Sequence, residues 1–201
     1  SGRFTYRIAP NTRMYSEIIV TNFDYSPGTN FELDNTYKRY RAGVTWNYSG
    51  TITGDINLGY QDRDYDQASL QDIDGLAYDG EVTWSANSYT QFIVAAKRES
   101  IDSSVDEAGG FLRTTYALSL KHELTERIKF KADAGFSNDE LVFNTNRSDK
   151  RYAYQLGLVY ELLHNITLMA DYTYEERDST LEIADYQANI IGLSVVVSLE
   201  D

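Results

Sequence analysis

One feature constrains this chain more than any other: an alternation of oily and polar residues that keeps a single phase over most of its length. It is tested on ten windows, 4–8, 14–22, 40–48, 52–60, 76–84, 90–98, 114–122, 128–136, 152–160 and 166–174. They hold 48 even-numbered positions, and of these Arg98 alone carries a full charge. They hold 38 odd-numbered positions, and twelve of those are charged: Arg7, Glu17, Arg41, Asp55, Asp79, Glu81, Lys97, Lys121, Lys129, Lys131, Asp133 and Asp171. A period of two belongs to the β-strand, whose successive side chains point to opposite faces of a sheet. An amphipathic helix would repeat near 3.6 and scramble both parities. The chain is therefore expected to be all-β, with one apolar face and one polar face.

The alternation is also repeated at a longer period. Residues 160–178, "YELLHNITLMADYTYEERD", align without gaps on residues 46–64, "WNYSGTITGDINLGYQDRD". Related units start at Tyr6, Trp46, Trp84, His122 and Tyr160, spaced 40, 38, 38 and 38 residues apart. Each unit holds two strand patterns of about ten residues, long against the 5–6 typical of globular strands. A propeller blade has a similar period but needs four short strands per repeat. Tight turns join the strands at one end: Pro10-Asn11-Thr12, Ser49-Gly50-Thr51, Ala86-Asn87-Ser88, Thr125-Glu126-Arg127 and Leu163-His164-Asn165. Longer polar loops join them at the other, over 24–36, 62–75, 99–111, 137–150 and 176–187. The two ends are called the turn side and the loop side below. Eleven strands result.

Alternation alone fits two solvents. A soluble sandwich turns its oily face inward, whereas a membrane barrel turns it toward lipid and keeps a polar lumen. Four features favour the barrel. The strands suit the roughly 9–11 residues of a tilted bilayer crossing. On the even face, Tyr6, Trp46, Tyr48, Trp84 and Tyr160 gather at the turn side, and Tyr60, Tyr172 and Tyr174 toward the loop side. Between these two rows runs an aliphatic band that includes Val44, Leu58, Val82, Leu118 and Leu156. Aromatic rings settle at headgroup depth, so two such rows read as interfacial girdles. Short turns on one side with long loops on the other, and acid gathered in those loops, complete the pattern. The reading is a single antiparallel up-and-down transmembrane β-barrel domain over 1–201, with a soluble repeat sheet as its rival.

Composition narrows the function classes. A net charge of −13 argues against nucleic acid as a partner. With no cysteine there is no disulfide framework and no thiolate metal site. No run of about twenty apolar residues supplies a transmembrane helix, and no signal peptide is visible. His122 and His164 lie at the turn side without a Ser-centred elbow, so no enzyme chemistry and no cofactor is expected. The five aspartates of 62–75 lack the ordered ligand spacing of a calcium loop and read as a solvated acidic loop. The charges with functional content are those expected to line a lumen: Arg41, Asp55, Asp79, Glu81, Lys97, Lys121, Lys129, Lys131, Asp133 and Asp171. In a wide barrel they line a wet channel; in a narrow one they pair across strands and fill the interior.

Hairpins such as "YRIAPNTRMYSEIIV" and "YELLHNITLMADYTY" resemble those of Gram-negative outer-membrane β-barrels, and within that class the putative β-barrel porin type 2 group. The resemblance covers essentially the whole chain. It implies a porin-like barrel in the outer membrane, passing polar solutes or polysaccharide, with the lipid bilayer and lipopolysaccharide as its surroundings. It also implies an association with surface-polysaccharide export. A structural or interaction barrel with acidic surface loops is the alternative. An odd strand count leaves the two ends of the chain on opposite sides, so the sequence is expected to be a C-terminal portion of a larger barrel. The eleventh strand, about 187–199, reverses phase, with Ile191, Leu193, Val195, Val197 and Leu199 as its oily set. A bulge or an odd-length loop would account for that reversal.

Overall fold

The computed structural model describes residues 1–25, 33–102, 110–141 and 147–198. The described residues form eleven strands: β1 (Gly2–Ala9), β2 (Thr12–Phe23), β3 (Asn35–Tyr48), β4 (Ile52–Tyr65), β5 (Ile73–Asn87), β6 (Thr90–Asp102), β7 (Gly110–Thr125), β8 (Ile128–Leu141), β9 (Ser148–Leu163), β10 (Ile166–Ser179) and β11 (Tyr186–Val197). A single 3-10 turn, Glu182–Ala184, sits between the last two. All eleven belong to one antiparallel sheet in chain order, with β1 and β11 as its two edges. The all-β up-and-down reading and the strand count both hold, and the sheet is not closed on itself.

The strands run further toward the loop side than expected. The polar stretch 62–75 shrinks to residues 66–72, because Asp62 and Asp64 belong to β4 and Asp74 to β5. Residues 176–179 and 186–187 likewise join β10 and β11. Charge had marked these segments as loop. Cross-strand pairs override that signal: Lys38 bonds Asp64 at 2.5 Å and lies 3.6 Å from Asp62. Tyr60 donates to Asp74, and the backbone N–H of Tyr65 donates to Asp72 at 2.9 Å. The supposed acidic loop is thus largely a paired hairpin.

Register keeps even residues beside even residues from β1 to β9; Val44, for instance, faces Ile56, and Leu118 faces Ala134. The even face is the exposed apolar one: Leu58 is 57 % exposed, Leu118 49 % and Leu156 50 %. The odd face carries most of the buried residues, including Tyr15, Asn35, Arg39, Asn57, Gln61, Arg63, Asp139 and Asp149. This is the reverse of a soluble sandwich, which would bury the leucines and expose the arginines.

The phase reversal in the last strand has a structural cause. Eight residues separate Arg177 from its partner Tyr186, an even number, whereas nine separate Arg63 from its partner Ile73. The even count flips β11 relative to β10, so Ile191, Leu193 and Val195 pair with Tyr172, Ala170 and Leu168 on the apolar face. Leu199 lies outside the described residues. A register shift between Ile166 and Thr167 marks the turn-side end of the β9–β10 pair.

Candidate functional site

The polar face is the candidate site, and the ten charges read from the sequence all stand on it. Arg41 grips Glu17 on the neighbouring strand through Nε at 2.8 Å and Nη2 at 2.6 Å. Asp55 accepts the Tyr15 hydroxyl at 2.6 Å. Tyr15 reaches it by lying across β3, and Gly43 makes this crossing feasible, since a Cβ there would strike the tyrosine ring. The Arg3 guanidinium lies over that ring, 3.7 Å from its centroid. Tyr15 therefore fastens the edge strand β1 to β4.

Glu81 stands directly opposite Asp55, and Asp79 opposite Lys97. Lys97 bonds Glu99 at 2.7 Å. On the far wall, Lys121 faces Lys131 across β7 and β8. Lys131 turns to Asp133 at 2.9 Å, and Lys129 to Glu161 at 3.2 Å. The Asp171 carboxylate extends over Gly192, where any Cβ would collide with it. Most of these charges are thus paired along or across strands or left open to water, as the cost of an isolated buried charge requires.

Short sequence windows missed a second tier of polar residues on the loop side. Arg39, Gln61, Arg63, Arg113, Asp139, Asp149, Arg151 and Arg177 all have odd numbers, so carrying the same parity a few residues further would have found them. Two groupings matter. In the first, β5 and β6 stop pairing beyond Tyr78 and Arg98, which leaves the Ser100 backbone without a β5 partner. Side chains from β4 replace the missing ladder. Gln61, fully buried, accepts the Ser100 N–H at 3.0 Å through Oε1, and Arg63 Nη2 donates to the Ser100 carbonyl at 3.3 Å. Arg63 also pairs with Asp102, which accepts Tyr25 at 2.6 Å and Tyr65 at 2.9 Å. Tyr65, Leu70 and Ile73 pack beside this hub. The loop-side interior over β2–β6 is therefore filled.

In the second grouping, four arginines share two aspartates across β7–β10. Asp139 takes a two-pronged bond from Arg113, at 2.6 and 2.8 Å, and a further bond from Arg151. Asp149 is held by Arg147 at 3.1 Å, by Arg177 at 2.5 Å and by the Ser179 hydroxyl. It lies beyond the loop-side tyrosines, outside the segment that would cross a bilayer. Burial pushes its carboxyl up, but the bonds from Ser179, Arg147 and Arg177 outweigh this and hold it down at about 2.

The residues expected to form girdles stand on the even, apolar face. Tyr6 is 64 % exposed and Tyr48 73 %; Trp84, stacked on Phe92 at 5.3 Å, is also exposed. Trp46 lies over Gly54, and Tyr160 is half-buried beside Ile128. On the loop side, three hydroxyls reach away from the aliphatic band: Tyr60 to Asp74, Tyr172 to Asn189 at 2.6 Å, and Tyr174 to Glu176 at 2.7 Å. Each acceptor stands loopward of the ring's own row, so the rings sit in the apolar band with their polar tips beyond it. Of the two histidines, His122 meets the Thr90 hydroxyl at 2.9 Å through Nδ1, and His164 is an exposed turn residue.

A family profile described as putative beta-barrel porin 2 matches residues 1–199. The chain belongs to that family. Among solved structures, this family member is similar to the outer membrane channel DcaP of Acinetobacter baumannii, with a TM-score of 0.65 and 13 % identity. That match covers 98 % of this chain and 61 % of DcaP. The FrpB iron transporter from Neisseria meningitidis matches with a TM-score of 0.63 and 12 % identity, over 88 % of this chain and 35 % of FrpB. The porin-family chain thus spans less than two thirds of either neighbour, and identities this low carry the fold alone. No curated protein matches the sequence.

Proposed function

We propose that this porin-family chain forms the wall of an outer-membrane channel that passes polar solutes, a saccharide among them, through a hydrated lumen in a Gram-negative bacterium. The supporting observation is the partition of the sheet: leucine, valine and aromatic rings on one face, and paired or water-seeking charge on the other. A bilayer requires that partition, and a polar lumen is its reverse side. The bilayer and lipopolysaccharide would meet the even face, and solute the odd face. Lys97, Lys121, Lys129, Lys131, Arg41, Asp55, Asp79, Glu81, Asp133 and Asp171 would line the path. No covalent step is assigned to any of them.

The filled interior over β2–β6 supports a second reading, a barrel that acts as a scaffold with acidic surface loops. Conductance of the full protein in planar bilayers separates the two. A channel gives stable steps in KCl, and Lys129→Glu with Lys131→Glu moves its reversal potential toward cation preference. Absence of any conductance favours the scaffold. An unchanged reversal potential removes these lysines from the path.

A further inference from the structure

The polar face is filled over β2–β6, but over β7–β11 it opens into a hollow of about 280 Å³. Two adjacent cross-strand rows make its floor, and Ala117, Gly135 and Ala153 keep it low. One row contributes Thr115, Ser137, Arg151 and Tyr186; the next contributes Ala117, Gly135, Ala153 and Glu175. Small residues alone would be only a gap in the lining. Three further features shape this one chemically.

Guanidinium is in surplus at the loop-side wall. Arg113, Arg147, Arg151 and Arg177 share the two carboxylates of Asp139 and Asp149. Counting Glu175, which has no ion-pair partner among the described residues, the rim still keeps a positive charge. Of the four, Arg151 lines the hollow; its side chain is 31 % exposed, and one Nη of its guanidinium bonds Asp139. The aromatic ring of Tyr186 closes one end of the upper row, and it faces inward because of the phase flip of β11. Thr115, Ser137 and Glu175 add hydroxyl and carboxylate oxygens along the floor and far side.

We propose that this hollow is a binding site for a carboxylate-bearing saccharide unit, a sugar acid, which makes the assignment a narrowing of the channel reading above. The chemistry divides cleanly. A ring seats over Ala117, Gly135 and Ala153, whose small or absent side chains leave the depth. Tyr186 offers an apolar face to the C–H side of the ring. Glu175 and the two hydroxyls exchange hydrogen bonds with ring hydroxyls. The solute carboxylate takes the guanidinium donors of Arg151 that Asp139 leaves, a planar fork that suits a carboxylate better than an ammonium would. At about 280 Å³ the hollow falls just below the roughly 300–1,000 Å³ of small-ligand pockets, so it suits a single ring rather than a chain segment.

Calorimetric titration of the full protein, folded in detergent, tests this without any current through a pore. The probes are D-galacturonate and D-galactose, which differ only in the carboxylate. Galacturonate is expected to bind at least about tenfold more tightly, the discrimination one charge-assisted hydrogen bond supplies. Arg151→Gln should abolish that preference while Asp139 keeps Arg113, and Tyr186→Ala should weaken both sugars. Arg127→Gln, in the exposed turn between β7 and β8, should leave both unchanged. Equal affinity for the two sugars, no binding of galacturonate, or an Arg151→Gln protein that keeps the preference overturns the assignment. A protein that conducts KCl yet fails these titrations loses only the sugar-acid site. One that binds galacturonate without conducting keeps the site and loses the channel.

Discussion

Replacing Leu156 by arginine should cost far more than replacing its neighbour Gln155. Leu156 stands midway on β9 between Tyr152 and Tyr160, four residues from each. At about 3.3 Å per residue it is roughly 13 Å along the strand from each of these two rings. With a strand tilt near 40° this places it about 10 Å in depth from both, close to the middle of an apolar band of about 25 Å. An arginine at such depth on the lipid face costs about 2–4 kcal/mol. At 1.4 kcal/mol per factor of ten, the folding equilibrium shifts by roughly 30- to 700-fold. Gln155 lies on the opposite face between Asp133 and Thr173, and with Glu81 and Glu175 it lines a second hollow, distinct from the one beside Arg151. Arginine there meets water and opposite charge, and should stay within about 0.5 kcal/mol of the parent. Denaturant titration of the full protein folded into phosphatidylcholine vesicles, followed by tryptophan fluorescence, reads both variants. If Gln155→Arg proves the more damaging, or Leu156→Arg costs nothing measurable, hydrocarbon does not contact the even face and the account of the sheet fails.

Three further outcomes follow from local geometry. A Cβ on Gly59 would run into the Tyr40 backbone carbonyl, so Gly59→Ala should lose about 1–3 kcal/mol in the same titration. Gly157→Ala, which meets only Lys131 Cβ at ordinary contact distance, should be nearly silent. Tyr15→Phe deletes the bond to Asp55 and leaves a half-buried carboxylate short of a donor, a loss of about 1–3 kcal/mol that a paired Asp55→Asn change should partly relieve. Asp149 is ionised in the folded protein down to about pH 2, below its ordinary 3.8. Its contribution is therefore complete above pH 4 and fades as the pH falls toward 2. Asp149→Asn should lower the unfolding midpoint at pH 7 and flatten its dependence on pH between 4 and 2.

The strand count, the two faces and the phase flip of β11 were legible in the sequence, because parity survives every substitution that keeps a residue oily or polar. Strand ends were harder to read. Asp62, Asp64, Asp74 and Asp178 look like loop residues until Lys38, Tyr60 and the cross-strand ladder take them up. For the same reason the arginine–aspartate lattice at Asp139 and Asp149 escaped notice: it sits where charge on both faces dilutes the alternation. The Gln61 and Arg63 caps on Ser100 could not be read at all. They depend on where β5 leaves β6, and only the pairing of distant segments decides that.

The phase flip at the last hairpin has a consequence for how this chain can change length. With eight residues between Arg177 and Tyr186, Ile191, Leu193 and Val195 of β11 meet the apolar face while Tyr186 and Ser194 meet the polar one. Gaining or losing one residue there would turn Ile191, Leu193 and Val195 into the interior and swing Tyr186 out. Insertions and deletions around Glu182–Ala184 should therefore be tolerated in pairs and rejected singly, a counting rule that a small library of loop-length variants would expose at once.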